Sequence, residues 1–321
     1  MPSENCGIKE DLISIVIPVY NEIENLPDLL RELDRVRDEL RDLDFEFLFI
    51  DNRSSDQSFE FLAARAEVRR DLKVIRLSRN FGPTVEASIS AGLDHASGQA
   101  VAVLYSDLQE PPSVLIDMIK EWKMGAEVVV AKYGKSQAST LALRLGAKWF
   151  YSLQQRLAEF DTDTHAGDYR LLDRRALDAL KLLPERARYF RAMSRWIGFR
   201  VAYVYYERDT RRRGRSNSTL VNNFGTALNG LVSASTRPLR LITLFGLLTS
   251  LASMTFLLFY VCLWFFGSPI AGLTTIIGIL LLGFGFTFFF LGVIGEYLSR
   301  VLVEVKGRPH YIIDNTVNME C

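Results

Sequence analysis

Two long stretches without a charged residue, 241–266 and 270–294, constrain the fold of this chain more than any other feature. Only Gly267, Ser268 and Pro269 separate them. Each stretch exceeds the roughly 20 apolar residues that an α-helix needs to cross a bilayer, and both contribute to the apolar share of 49%. We therefore expect a two-helix transmembrane hairpin. A buried helical hairpin of a soluble protein is the alternative.

The charges that flank these stretches predict their orientation. Arg237 and Arg240 precede the first stretch, whereas Arg300, Lys306 and Arg308 follow the second. Lysine and arginine are enriched on the cytoplasmic side of membrane helices. The charged N-terminal segment does not have the pattern of a secretory signal. We therefore expect a multi-pass protein of the inner (cytoplasmic) membrane, embedded in the lipid bilayer, with both termini and the large N-terminal region in the cytoplasm.

Net charge and cysteine content exclude several classes of protein. The formal net charge is zero, which excludes a globally basic chain of the nucleic-acid-binding kind. Cys6, Cys262 and Cys321 lie far apart in the sequence. They therefore predict neither a disulfide framework nor a cysteine metal cluster.

The N-terminal two thirds of the chain alternate short apolar runs with segments of helical periodicity. This alternation predicts an α/β fold with a parallel sheet and right-handed crossovers. The expected strands are 12–19, 45–50, 73–77, the first half of 100–112, 126–131 and 201–206. An amphipathic helix is expected over 139–157, packed either on the sheet or on a membrane surface.

The segment 100–112, AVAVLYSDLQEPP, combines a buried strand with a polar turn. Its apolar first half is typical of a strand covered on both faces. Asp107 and Gln109 follow at the carboxyl end of the strand, where ligands bind in open α/β sheets. Carboxylate and amide oxygens suit Mg²⁺ or Mn²⁺ carrying phosphates. An exposed turn that caps the next helix is the alternative.

Polar residues also follow the other predicted strands, at 20–22, 51–56 and 78–82. The sequence has neither GxGxxG after the first strand nor GxxxxGK[ST], so phosphate would be handled by a metal and by arginines. Arginines cluster after the strand at 201–206, within 208–215. This cluster suits a basic loop near anionic lipid headgroups or a loop that grips a diphosphate or a lipid phosphate.

Five motifs, in this order, resemble those of the polyprenyl-phosphate glycosyltransferases of glycosyltransferase family 2. They are IPVYNE at 17–22, SRNFG at 78–82, DLQEPP at 107–112, GDYRL at 167–171 and GEYL at 295–298, the last followed by KGRP at 306–309. The resemblance runs from about residue 14 to about residue 311. It implies a GT-A type, Rossmann-like and mostly parallel sheet domain. Such a domain transfers a sugar from a nucleotide-diphosphate sugar to a polyprenyl phosphate of the undecaprenyl or dolichyl type.

The resemblance also implies roles for individual residues. Asp168 would be the orienting or general-base carboxylate, with a capping turn residue as the alternative, and Asp107 and Gln109 would hold Mg²⁺ or Mn²⁺. The nucleotide would be bound by Pro18, Tyr20, Glu22, Asp51, Asn52 and Arg79. Phosphate and the acceptor would be bound by Arg170, Arg208, Arg211 and Arg213.

Three positions depart from the family's pattern. The family usually has Asp-x-Asp before Leu-Gln, and Tyr105 occupies the first Asp position. Asn52 and Arg53 replace the second Asp and the glycine of the usual Asp-Asp-Gly-Ser, and Asn217 replaces the lysine of the usual Ser-Lys. The first change bears on metal affinity and the second on which base is read, while the third removes a phosphate-binding cation.

The predicted organisation has five parts. These are a cytoplasmic GT-A domain at 1–218, an interfacial juxtamembrane helix at 219–240, transmembrane helices at 241–266 and 270–294, and a cytoplasmic C-terminal segment at 295–321. The chain is also compatible with a homo-oligomer. Two rival functions remain open, namely a membrane glycosyltransferase with another acceptor and a catalytically silent scaffold that binds nucleotide sugars.

Overall fold

A computed structural model describes residues 9–82, 85–134, 166–185, 189–207, 237–265 and 272–319. The described strands are β1 (Lys9–Val19), β2 (Asp44–Asp51), β3 (Leu72–Leu77), β4 (Gly98–Val103), β5 (Val128–Tyr133), β6 (Ala166–Asp173), β7 (Val201–Tyr206) and β8 (Ile313–Val317). The described helices are α1 (Leu26–Glu39), α2 (Ser58–Ala66), α3 (Glu86–His95), α4 (Val114–Lys123), α5 (Arg174–Lys181), α6 (Phe190–Trp196), α7 (Arg237–Phe265) and α8 (Leu273–Lys306). The helix expected at 139–157 lies outside the described residues.

All eight strands join one sheet in the order β7-β5-β6-β4-β1-β2-β3-β8. Strands β1 to β4 run parallel to one another, and β5 pairs in parallel with β7. β6 is antiparallel to both β4 and β5, and β8 is antiparallel to β3. The predicted mostly parallel α/β sheet is therefore confirmed, with two antiparallel strands that the sequence pattern did not indicate.

The parallel strands form because their apolar residues are covered on both faces. One core packs the strands against α1, α2 and α4 and includes Ile15, Phe47 and Leu115. The other packs them against α3, α5 and α6 and includes Val16 and Leu177. Because the helices cover both faces, the polar side chains that follow the parallel strands lie at the carboxyl edge of the sheet.

The segment that contains the GDYRL motif is a buried strand, β6, which was not among the strands expected from the sequence. Seven of its eight residues are buried. A Cβ atom added to Gly167 would lie 3.0 Å from Oε1 of Glu110, so a larger residue here would require the Glu110 side chain to shift. Both Asp168 and Arg170 therefore lie within the sheet.

The C-terminal strand β8 closes the edge of the sheet beside β3. The Ser78 amide donates to the Ile312 carbonyl at 2.8 Å, which extends the pairing beyond the strand. Nδ2 of Asn318 donates to the carbonyls of Arg69, Arg70 and Leu72 at 2.9, 3.1 and 2.7 Å. Part of the predicted C-terminal segment is thus an element of the sheet.

Helices α7 and α8 contact each other through aromatic rings. The Phe245 ring centroid lies 5.1 Å from that of Phe286 and 5.5 Å from that of Phe290. By length and composition, one described stretch could cross a membrane, Gly283–Lys306, and a shorter apolar stretch spans Ile242–Phe256. Two complete spans at 241–266 and 270–294 stay a prediction.

Candidate active site

An open cavity of about 220 Å³ lies at the carboxyl ends of β1, β2 and β4. Its lining includes five of the residues predicted for binding, namely Pro18, Tyr20, Glu22, Asn52 and Asp107. The described part of the lining also includes Val19, Val85, Ser88, Tyr105 and Ser106. Residues far apart in the sequence therefore meet at the edge of the sheet where α/β proteins bind ligands.

Side chains tie together the two loops that follow β1 and β2. Oδ1 of Asn21 accepts a hydrogen bond from the Ser55 amide at 2.7 Å, and Oγ of Ser54 accepts one from the Asn21 amide at 3.0 Å. Asn21 has a φ of 56° and Arg53 a φ of 63°. This left-handed conformation is costly for a residue such as arginine and is concentrated at functional loops. The loops present Tyr20, 39% exposed, at the cavity.

Asp51 is the last residue of β2 and is fully buried. Its Oδ1 accepts a hydrogen bond from the Ser54 amide at 3.1 Å, and Nε of Arg76 lies 3.3 Å from its Oδ2. Burial raises the pKa of Asp51, and the Ser54 hydrogen bonds and the Arg76 charge only partly oppose this. These contacts favour a role for Asp51 in shaping the loop, while direct nucleotide contact stays a prediction.

Asn52 joins the loops that follow β2 and β3. Its Nδ2 donates to Oδ1 of Asn80 at 3.2 Å, and its Oδ1 accepts from the Phe81 amide at 3.1 Å. The exposed Arg79 guanidinium lies 4.4 Å from the Phe81 ring centroid. An asparagine bridges the two loops through one donor and one acceptor, which a second aspartate at this position could not do.

The loop after β4 offers hard oxygen atoms to a cation. Leu108 has a φ of 57°, and Oδ1 of Asp107 accepts from the Gln109 amide at 3.1 Å. No group of three His, Cys, Asp or Glu residues that could hold a metal occurs among the described residues. Mg²⁺ is nevertheless often bound through one or two carboxylates together with substrate phosphates. Asp107, which lines the cavity, therefore fits a metal that arrives on a diphosphate. Gln109 is not among the described lining residues, and its role as a metal ligand stays a prediction.

Asp168 is held from two sides and is 7% exposed. Nε and Nη2 of Arg191 donate to its two carboxylate oxygens, each at 2.9 Å, and the Tyr105 hydroxyl donates to Oδ2. Burial alone would raise the pKa of Asp168, but the Arg191 charge and these hydrogen bonds outweigh burial and lower it. A carboxylate that stays ionised in a bidentate ion pair is a weak proton acceptor.

The four predicted phosphate-binding arginines fall into two groups. Arg170 is 1% exposed, and its Nη1 donates to Oγ of Ser194 at 2.8 Å. This burial favours a structural role for Arg170 over contact with an acceptor phosphate. Arg208, Arg211 and Arg213 lie outside the described residues, so their phosphate contacts stay a prediction.

Sequence reasoning missed Arg191, the residue that neutralises Asp168. Arg191 lies on α6, 23 residues beyond Asp168, in a segment where no motif was recognised. The one signal in the sequence was the Asp168 carboxylate, but its burial in a strand was not predicted. An aspartate in a buried strand requires a cationic or hydrogen-bonding partner, and arginine is the side chain best suited to bind it bidentately.

Comparison with known proteins shows the family to which the chain belongs. The model of the family described as Glycosyl transferase family 2 matches residues 14–181, which covers β1 to β6 and the cavity. A bactoprenol glucosyl transferase of Shigella flexneri, derived from prophage SfII, is 36% identical over 305 residues, covering 94% of this chain and 97% of the relative. An uncharacterised glycosyltransferase of Synechocystis is 35% identical over 310 residues, covering 96% of each chain.

Solved structures of lower identity match over part of the chain. Glucosyl-3-phosphoglycerate synthase from Mycobacterium tuberculosis, in complex with Mn²⁺, uridine diphosphate and glucosyl-3-phosphoglycerate, is 16% identical with a TM-score of 0.47. The match covers 70% of this chain and 78% of that one. The family model covers more than half of the chain and the curated relatives match nearly all of it, so this protein belongs to glycosyltransferase family 2 and is a glycosyltransferase, as its motifs predicted.

Proposed function

We propose that this enzyme transfers a sugar from a nucleotide-diphosphate sugar to a polyprenyl phosphate at the cytoplasmic face of a membrane. The observation that carries the proposal is the near-full-length match to bactoprenol glucosyl transferases, which includes the segment of α7 and α8 as well as the sheet domain. A shared site alone would support a sugar donor. Similarity that extends through the long apolar helices supports a lipid-linked acceptor as well.

The reaction is a substitution at the anomeric carbon of the sugar. An oxygen of the lipid phosphate forms a bond to this carbon, the bond to the diphosphate oxygen breaks, and the nucleoside diphosphate leaves with the electron pair. A phosphate monoester is largely dianionic at neutral pH because its second pKa is about 6. The nucleophile therefore needs positioning and protection from water more than it needs a base, in agreement with the paired state of Asp168.

Different loops at the cavity would bind different parts of the donor. The loops that contain Tyr20, Glu22 and Asn52 would bind the base and ribose, and the loop with Asp107 and Gln109 would face the diphosphate. A divalent cation bound there supplies positive charge for the leaving group. Three arginines that precede the apolar helices in the sequence would add to this positive charge through their predicted phosphate contacts. They are Arg208, Arg211 and Arg213.

The membrane topology is part of the proposal. The two uncharged stretches would form a multi-pass hairpin in the lipid bilayer, with the sheet domain and both termini in the cytoplasm. The pairing of β8 with β3 supports a location of the C-terminal segment on the same side of the membrane as the sheet domain, because β8 follows α8 in the sequence. A homo-oligomer is compatible with this arrangement.

The decisive experiment is transfer with purified full-length protein. Radiolabelled nucleotide sugars, each tested with Mg²⁺ or Mn²⁺, are incubated with undecaprenyl or dolichyl phosphate, and the organic phase is analysed for sugar that mild acid releases. We expect label in the lipid product with one donor, and none when the lipid phosphate is replaced by the corresponding alcohol. Transfer only to a different acceptor would overturn the polyprenyl phosphate assignment, and donor binding without any turnover would favour a silent scaffold.

A further inference from the structure

We propose that Tyr105 contacts the sugar-diphosphate part of the donor and that Asp168 and Arg191 act behind it as positioning residues. The proposal rests on the proposed function for the class of donor, a nucleotide-diphosphate sugar. It assigns a role to the position at which this chain departs from the aspartate that its family usually has.

The first argument is the position of Tyr105. The residue lies two positions after the end of β4 and two positions before Asp107, and both residues line the cavity. Among the described residues that line this cavity, neither Asp168 nor Arg191 occurs. Tyr105 is therefore the member of the three-residue cluster that a donor in the cavity would meet.

The second argument is the way in which the phenol is held. Its hydroxyl donates to Oδ2 of Asp168, and the same carboxylate is fixed through both oxygens by Arg191 at 2.9 Å. The hydrogen bond to the Asp168–Arg191 ion pair thus orients the side chain of Tyr105. The part of Tyr105 that lines the cavity offers the donor a flat aromatic surface.

The third argument is the balance of charge. The Asp168 carboxylate is neutralised by Arg191, so the cluster adds no net charge beside the diphosphate. An aspartate at position 105 would instead add a second carboxylate to the loop that contains Asp107. Tyr105 therefore takes the place of a metal-binding carboxylate. Its neutral side chain contacts the sugar part of the donor instead.

The test is donor binding by the purified full-length protein in detergent, measured by isothermal titration calorimetry. UDP-glucose and GDP-mannose are titrated into the wild type, and the tighter donor is used together with its nucleoside monophosphate. We expect Tyr105→Phe to weaken binding of the sugar nucleotide about three- to tenfold, in the range of one lost hydrogen bond. Binding of the monophosphate, which lacks the sugar and the second phosphate, should change less than twofold.

Two further variants separate positioning from general damage to the fold. Tyr311→Phe removes a comparable contact, since the Tyr311 hydroxyl donates to Asp94 at 3.1 Å, and it should leave donor binding unchanged. Asp168→Asn should also weaken the sugar nucleotide selectively. The double variant Tyr105→Phe/Asp168→Asn should bind about as well as Asp168→Asn alone, because the two residues act as a unit.

The possible results have different meanings. Equal weakening of sugar nucleotide and monophosphate by Tyr105→Phe, or unchanged binding of both, overturns the inference and leaves the proposed function intact. Additive losses in the double variant overturn the positioning role of Asp168. A wild-type protein that binds none of a wider panel of UDP-, GDP-, CDP- and dTDP-sugars overturns the proposed function, and the inference with it.

Discussion

The two ends of the sheet each bury a carboxylate, but in different surroundings. At the amino end, Glu46 is 3% exposed and accepts hydrogen bonds from the Ser14 hydroxyl, from the Ser97 amide at 2.6 Å and from Nζ of Lys73 at 2.8 Å. At the carboxyl end, Asp168 is bound by Arg191 and by a tyrosine whose other side lines a cavity.

Backbone strain follows the same division. Three of the four described non-glycine residues with positive φ are Asn21, Arg53 and Leu108, and they occupy the loops at the carboxyl ends of β1, β2 and β4. Such conformations cost about 1–3 kcal/mol each where the surrounding structure enforces them. The amino end therefore contributes stability, whereas the carboxyl end holds strained loops and an open cavity that are suited to binding.

Among the variants that test this difference between the two ends of the sheet, Asp107→Asn is expected to have the largest effect on activity. Asp107→Asn keeps an oxygen that can accept from the Gln109 amide but removes the charge that would hold the cation. We therefore expect transfer to fall on the order of 10²-fold or more. Steady-state rates at several Mn²⁺ concentrations measure this, with Asp117→Asn on the exposed face of α4 as the matched control. Wild-type turnover with unchanged metal dependence would show that the metal assignment is wrong.

Glu46→Gln should have the opposite pattern. The variant leaves Lys73 without its charged partner and should destabilise the fold by about 2 kcal/mol. Transfer per folded molecule should stay at the wild-type level, because the network lies at the amino end, away from the cavity. Thermal unfolding in detergent and transfer rates below the melting temperature measure the two effects, with exposed Glu67→Gln as the control. A large loss of transfer by a folded Glu46→Gln protein would break the division between the two ends.

The strands of the sheet could be predicted to different degrees, for physical reasons. β7 matches its predicted bounds, because a run of valine and tyrosine has high strand propensity. β6 was missed since glycine, aspartate and arginine are typical of turns, and only Arg191 and the close approach of Glu110 explain them inside a sheet. β8, IDNTV, has little strand signal of its own, and it forms because the edge of β3 supplies its partner.

The candidate site was predictable as a set of loops but not as a set of contacts. Of the polar residues predicted after the strands, Tyr20, Glu22, Asn52 and Asp107 line the cavity, whereas its described lining does not include Asp51, Arg79 and Gln109. The partner of Asp168 could not be predicted, because Arg191 lies on a separate helix. Spacing along the sequence contains no information on which of many arginines is nearby in the fold.

The pH dependence of stability is a further test of the buried carboxylates at the two ends of the sheet, with a smaller expected effect. Burial would raise the pKa of Glu46, but Lys73, Ser14 and Ser97 outweigh burial and lower it. The unfolded chain therefore binds a proton at a higher pH than the native protein does. The stabilisation is present above the pKa of the unfolded state and is lost as the pH falls through the native pKa.

Asp168 has a lowered pKa as well, so it contributes in the same direction. We expect melting temperatures to fall as the pH is reduced below about 5, and to fall less steeply in Glu46→Gln than in the wild type. The measurement is thermal unfolding across a pH series in one detergent. Parallel curves for the two proteins would show that Glu46 is not a source of the acid sensitivity.

The smallest effect is expected where β8 meets the loop after β2. Asp314 of β8 forms an ion pair with Arg53, whose neighbour Asn52 lines the cavity. The two side chains are 44% and 48% exposed, and surface pairs of this kind contribute about 0–1 kcal/mol. If the pair holds the strained Arg53 backbone in place, Asp314→Arg should raise the KM for the nucleotide sugar about two- to fourfold, with little change in kcat.

The reversed pair provides the control for this last prediction. Arg53→Asp/Asp314→Arg restores opposite charges in the other order and should return the donor KM towards the wild-type value. The KM for lipid phosphate should stay constant in both variants, because the acceptor is expected to enter from the membrane side. Kinetics with both substrates varied, at low and high salt, measure the effect, which should shrink as salt screens the exposed charges. A donor KM that is the same in all variants would mean that β8 covers the edge of the sheet without influencing the cavity.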